Sequence, residues 1–179
     1  MKTLTLPLDR ATALMLHAGD EVSFSGEILT GRDQACKRLF QMLREGAPLP
    51  VKISGQLIYF VGPSPAKPGE VIGSAGPTTS GRMNAYMPDL LAHGVRGFLG
   101  KGYLADPVKA ALREHGSVYF GAIGGTGALL SQSIVACEVV AFPELLSEAV
   151  HRMCFKDFPA IVLNDAHGGD LYQSVAPSS

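Results

Sequence analysis

The chain has 179 residues, 46% of them hydrophobic and 17% charged, with 21 glycines and no tryptophan. That length and apolar content suit one domain with a substantial core and exclude a disordered chain. A net charge of −1 gives no bulk attraction to nucleic acid or to a membrane surface, and no apolar run reaches the ~18 residues of a membrane span.

The opening "MKTLTLPLDR" lacks the long apolar stretch of a signal peptide, so the cytoplasm is the expected location. "AGDEVSFSGEIL" (18–29) alternates apolar and polar residues through Val22, Phe24 and Gly26 and reads as a strand. "RDQACKRLFQMLREG" (32–46) places Ala35, Leu39, Met42 and Leu43 on one helical face, with Asp33 near its start and Gly46 as its stop. "QLIYFVGP" (56–63) is a buried strand ending at Gly-Pro. "MNAYMPDLLAHG" (83–94) reads as helical, kinked or split by Pro88. A strand over 95–100 precedes a helix over 106–116 with Asp106 as cap, Pro107 at the first position and Gly116 at the end. Strands over 117–124 and 135–142 flank a helical stretch at 127–134, and 158–165 is a last strand. Residues 175–179 are expected to fray. Strands alternating with helices predict a single α/β domain over 1–179 with a largely parallel sheet, more β-rich in its first third.

Cys36, Cys137 and Cys154 are far apart, odd in number and without a CxxC pair. They suit reduced thiols in or near the core rather than a disulfide framework or a metal site. The five histidines show no metal-ligand spacing, and His167 in "DAHGGD" reads as a solvated loop residue. "GAIGGTG" (121–127) lacks the Lys-Ser/Thr of a P-loop and the spacing of a dinucleotide fingerprint, so it reads as a tight turn.

Three junctions carry residues suited to chemistry. "TGRDQACKR" (30–38) puts Arg32 and Asp33 at a helix entry. "GSAGPTTSGRM" (73–83) puts Thr78, Thr79 and Ser80 ahead of Arg82. "GKGYL" (100–104) puts Lys101 between two glycines just past a strand. Ligands of open α/β sheets bind at the carboxyl ends of strands. If the junctions share one edge, Arg32, Arg82 and Lys101 surround one pocket. Arg grips a carboxylate through two parallel hydrogen bonds, while Lys acts as a point charge. Such a set suits a small dicarboxylate. Each piece also has a plain structural reading: an ion pair or cap at Arg32-Asp33, helix capping by the three hydroxyls, a solvated turn at Lys101.

"TGRDQACKRL", "GPTTSGRM", "GKG" and "DFPAIVLNDAHGGDLY" occur in this order over nearly the whole chain. Together they resemble the β subunit, or C-terminal domain, of the class I fumarases and the related L(+)-tartrate dehydratases. The resemblance implies a swivelling β/β/α domain and reversible addition of water across the double bond of a small dicarboxylate, with fumarate and malate foremost and a tartrate as the alternative. It implies a [4Fe–4S] cluster with one iron free of cysteine, held by a partner α subunit, so that this chain binds no metal and is half of a hetero-oligomeric enzyme. Self-association of the isolated chain is a further expectation.

The resemblance assigns Thr78, Arg82 and Lys101 to the chemistry, and Arg32, Asp33, Gly76, Thr79 and Ser80 to the substrate. Thr78 is the base at carbon, with Thr79 and Ser80 as alternatives. A threonine hydroxyl serves there only as an alkoxide held by positive charge. Two departures stand out. Cys36 replaces the histidine of the family's "GRDxAHKR", altering a substrate contact or a proton relay, and His151 follows "EAV" where a tryptophan is common. The competing class is a stand-alone anion-binding module. A neighbouring reading frame with three cysteines at cluster spacing separates the two.

Overall fold

Five strands pair in parallel and in chain order: β1 (Lys2–Leu6), β2 (Glu21–Gly31), β3 (Leu57–Phe60), β4 (Gly97–Gly100) and β5 (Val118–Ala122). Two later strands, β6 (Ile134–Ala141) and β7 (Val150–Asn164), add antiparallel to give a mostly parallel sheet of seven strands. The computed structural model describes residues 1–123 and 127–174. The strand β7 pairs with β5 on one side and with β2 on the other. The circuit β2-β3-β4-β5-β7 therefore closes into a barrel, with β1 and β6 attached outside it.

Residues alternate between two cores, as the period of two along a strand requires. Leu57, Tyr59, Leu99, Phe120 and Phe24 belong to the core enclosed by the strands. Phe24 meets Phe120 edge-on at 4.8 Å, and Phe155 stacks on Phe158 at 4.2 Å. Burying each such side chain contributes about 1.5–3 kcal/mol. Ile58, Phe60, Phe98 and Tyr119 point the other way. They meet Ala35, Cys36 and Leu39 of α2 (Asp33–Glu45), Leu90 and Leu91 of α3 (Met87–Ala92), and Val108 and Leu112 of α4 (Asp106–His115). The central strands are buried on both faces, which is why "LIYF" and "VYFGA" are unbroken apolar runs.

The helices follow their signals with small shifts. Gly46 and Gly116 end α2 and α4 in the left-handed conformation. Pro88 does split the predicted helix, by opening α3 after a 3-10 turn at Ser80–Met83. Asp106 is not the cap of α4: Ala105 holds that place, and Asp106 lies in the first turn, where its charge suits the helix dipole. A short α1 (Arg10–Leu14), capped by the Asp9 carboxylate on the Thr12 amide at 2.7 Å, precedes β2. The stretch read as helical at 127–134 is α5 (Gly127–Leu130) followed by a 3-10 turn at Ser131–Ser133. Part of "GAIGGTG" and the tail at 175–179 lie outside the described residues. No helix among the described residues is long and apolar enough to cross a membrane.

The "DAHGGD" loop, between β7 and the short α6 (Leu171–Ser174), is a structural latch. The buried Asp165 carboxylate accepts from the amides of Ala18, His167 and Gly169, each at 2.8 Å. His167 is exposed, as expected, with its ring against the Leu14 carbonyl at 2.7 Å. Burial alone would raise the Asp165 carboxyl, but the three amides outweigh it and hold it below the usual range. For Asp170, too, burial is outweighed, here by Lys109 at 2.7 Å. A carboxyl held low in the folded state takes up its proton more readily when unfolded. Its stabilisation is complete above the ordinary carboxylate range and drains as pH falls below about 4. The urea midpoint is expected to fall between pH 5 and pH 3, and to fall less steeply in Asp165→Asn. Equal slopes in parent and variant would show that the latch carries no such linkage.

Candidate functional site

Parallel strands bring their carboxyl ends to one edge of the barrel, and the three junctions follow the ends of neighbouring strands. Arg32 comes directly after β2 and caps α2. Thr78 is held at the end of β3, its amide donating to the Phe60 carbonyl at 2.7 Å. Lys101 comes directly after β4, and an isolated parallel bridge ties it to Thr79, but it is exposed and, against the expectation that it would surround the pocket with the two arginines, it does not line the pocket wall. Arg32, Asp33, Gln34, Thr78, Thr79, Gly81, Arg82, Met83 and Glu148 line one open pocket of about 560 Å³.

Several local contacts shape this pocket. A side chain at Gly62 would collide with the Arg32 Cδ at 2.5 Å and Nη1 at 2.7 Å, so glycine there lets the arginine lie across the backbone. Gly76 does not line the pocket: its Cα side meets the backbone of Gly127 at 3.2 Å from where a Cβ would stand, and the Ala75 amide donates to the Gly127 carbonyl at 3.1 Å. The Tyr59 hydroxyl, from inside the barrel, donates to the Ala75 carbonyl. These contacts pin the loop that carries Thr78. Thr79 takes the cap position of the 3-10 turn, but its side chain makes no capping bond.

Ser80 is separated from the others. It is fully buried and absent from the pocket wall, and its hydroxyl bonds to that of Tyr119 at 2.7 Å. Cys36 lies beneath the pocket, not in its wall. Its thiol is pushed up to about 12, first by burial and then by the Asp33 charge, so it is an unreactive core group.

The arginines of the pocket are unpaired. Arg38, Arg44, Arg152 and Lys109 each have a carboxylate partner. Among the described residues Arg32, Arg82 and Lys101 have none within ion-pair distance, although Asp33 and Glu148 share the pocket with the two arginines. The amino end of α2 adds partial positive charge. Two guanidinium groups free of ion pairs, in one wall with two hydroxyls, are suited to gripping the carboxylates of a short ligand. A hollow of about 620 Å³ elsewhere is larger, but the charged residues of its rim are a single cation, Lys67, and Glu70.

Two residues of the wall have no obvious mark in the sequence. Gln34 follows the Arg-Asp pair on α2. Glu148 arrives from a 3-10 segment, Pro143–Glu148, that Arg38 fastens to α2 through an ion pair with Glu144 and a guanidinium 5.3 Å from the Phe142 ring centre. The buried His151 is not in the wall either: its amide donates to the Thr30 hydroxyl at 2.9 Å, behind the pocket.

Among the described residues no group of three His, Cys, Asp or Glu converges on a metal site. Cys36 is buried in α2, and Cys137 and Cys154 lie on β6 and β7. These thiols do not fit a cluster.

The chain is similar to known proteins over most of its length. The chain is 41% identical over 156 residues to "Fumarate hydratase class I, anaerobic" of Escherichia coli, covering 86% of this chain and 28% of that one. It is 36% identical to "Fumarate hydratase 2" of Leishmania major, covering 94% and 30%. To the "Putative L(+)-tartrate dehydratase subunit beta" of Methanocaldococcus jannaschii it is 34% identical, covering 89% and 85%. The chain thus spans less than a third of the length of these fumarate hydratases but most of the length of the tartrate dehydratase subunit. The family model described as the fumarase C-terminus matches residues 3–175, and the chain belongs to that family.

Proposed function

We propose that this chain is the β subunit of a two-subunit iron–sulfur hydro-lyase that adds water reversibly across the double bond of a small dicarboxylate, fumarate and malate foremost. The domain acts as the swivelling β/β/α half, in the cytoplasm. A partner α subunit carries the [4Fe–4S] cluster, whose chemistry is to bind the hydroxyl and a carboxylate of the substrate. The observation that carries this reading is the pair of unpaired arginines, Arg32 and Arg82, that share one pocket wall with Thr78.

The roles follow from charge. Removing a proton next to a carboxylate builds further negative charge on that carboxylate. Arg32 and Arg82 in the pocket wall, with Lys101 on the adjoining loop, stabilise that charge by several kcal/mol. Thr78 is the base, because it is the half-buried hydroxyl of the pocket that comes four residues before Arg82. Asp33 and Glu148 share the wall without pairing with either guanidinium, which leaves both forks free, and Thr79 contacts the substrate. A tartrate is the second reading, favoured by the match to a separate subunit that bears that name.

Expressed alone, the chain is expected to be colourless, iron-free and inactive. Purified anaerobically with its α subunit, it is expected to give a brown, oxygen-sensitive hydratase whose kcat/KM for malate and for L(+)-tartrate ranks the two readings. Rapid malate dehydration by the iron-free chain alone would sink the two-subunit reading.

A further inference from the structure

Tyr119 lies outside the pocket and belongs to no catalytic motif. Its ring projects from β5 into the core under the helices. Its hydroxyl stands between the loop that carries Thr78 and the loop that carries Lys101: the Ser80 hydroxyl is at 2.7 Å, and the Gly102 carbonyl accepts from it at 3.2 Å. Because the phenol donates to Gly102, the Ser80 hydroxyl donates to the phenol oxygen. The Ser80 amide also donates to the Lys101 carbonyl at 2.9 Å. Asn84 repeats the connection, with its amide nitrogen 3.2 Å from the Ser80 and Gly81 carbonyls and its oxygen accepting from the Ala105 amide at 2.9 Å. The "GPTTSGRM" loop and the "GKGYL" loop are thus laced together through Ser80.

We propose that Tyr119 is a positioning residue of the hydro-lyase site, holding Lys101 in register with Thr78 and Arg82 through Ser80 and Gly102. The proposal rests on the function given above for that pocket. Burial pushes the phenol's ionisation up, so it stays a donor throughout the working range. The contact area is complete without any charged group: the ring is fully buried, and a Cβ at Gly100 would sit 2.4 Å from the Ser80 Oγ and 3.4 Å from the phenol oxygen. Glycine in β4 therefore makes room for this hydroxyl pair, at the point from which the Lys101 loop departs. The arrangement also removes Ser80 from the choice of base, because its proton and its surface are both committed.

The test is Tyr119→Phe in the assembled two-subunit enzyme, with Ser80→Ala removing the other end of the contact should the first variant fold poorly. A displacement of about 1 Å in a binding group costs up to about 100-fold. The expected result is a loss of about 10- to 100-fold in kcat/KM, with KM for the dicarboxylate rising at least about 5-fold and the melting temperature nearly unchanged. In a Lys101→Ala background the same substitution is expected to cost less than about 2-fold, because it acts through that lysine. Parent kcat and KM with a lowered melting temperature would overturn the proposal, and so would losses that simply multiply in the double variant. Amide exchange at Ser80 in the isolated chain reads the register without turnover: exchange about 10-fold faster in Tyr119→Phe supports the proposal, and unchanged exchange overturns it. A parent enzyme that hydrates no dicarboxylate would remove the function while the exchange readout still stands, so the two failures are told apart.

Discussion

Thr78→Ala in the reconstituted enzyme is expected to lower kcat by about 1,000-fold or more while KM and the affinity for an inert dicarboxylate stay within a few-fold. The hydroxyl is needed where the proton moves, and carboxylates grip the arginines equally well without it. A base that works only as an alkoxide depends on neighbouring positive charge, and the pocket supplies that from Arg82 and Arg32, neither of which has a carboxylate partner among the described residues. The neighbouring hydroxyls serve as controls with different signatures. Thr79 makes no capping bond, so Thr79→Ala should change stability by no more than about 0.5 kcal/mol, rather than the ~1 kcal/mol of a working cap, and should keep most of its turnover. Ser80→Ala should act mainly on KM, through Lys101. A collapse of kcat in Thr79→Ala with near-normal turnover in Thr78→Ala would transfer the base to Thr79. Near-normal turnover in all three variants would reduce the loop to an anion cradle.

Arg82→Ala is expected to cost about 2–4 kcal/mol of transition-state stabilisation, roughly 30- to 1,000-fold in kcat/KM. Arg82→Lys should lose nearly as much. Lysine keeps the charge but offers a point in place of a planar fork, and it is more strongly hydrated. The loss should appear in both kcat and KM, since the guanidinium holds the carboxylate before the reaction and the extra charge during it. Steady-state kinetics of the two variants, together with equilibrium binding of an unreactive dicarboxylate, check this. If lysine restored at least a third of the parent kcat/KM, the fork would be unnecessary and Arg82 would act as a general charge only.

The elements that could be read from the chain are those built by nearest neighbours. The apolar spacing of Ala35 and Leu39 with Gly46 behind them defines α2, because a helix repeats its contacts every three to four residues. The unbroken runs at β3 and β5 declare strands buried on both faces. Motif order brought Arg32, Thr78, Arg82 and Lys101 forward as a set, and parallel neighbouring strands then place their junctions on one edge.

Tertiary structure decided the rest. Only the second half of β7 was legible, because Lys156-Asp157 looks like a turn. The chain passes through Asp157 with φ of 51° and continues, held on one side by β2 from Glu21 to Leu29. That pairing, between residues more than 120 positions apart, closes the barrel and leaves no local periodicity to detect. Glu148 reaches the pocket for the same kind of reason, through an Arg38–Glu144 pair spanning 106 positions. The division among the three hydroxyls is also tertiary. Thr78, Thr79 and Ser80 are nearly equivalent as a string of letters. Burial on β5's side of the loop commits Ser80 to Tyr119, while the Phe60 carbonyl and the Lys101 strand end leave Thr78 and Thr79 in the pocket wall. Residue type determined which groups could perform the chemistry; which of them face a ligand was set by contacts between segments far apart in the chain.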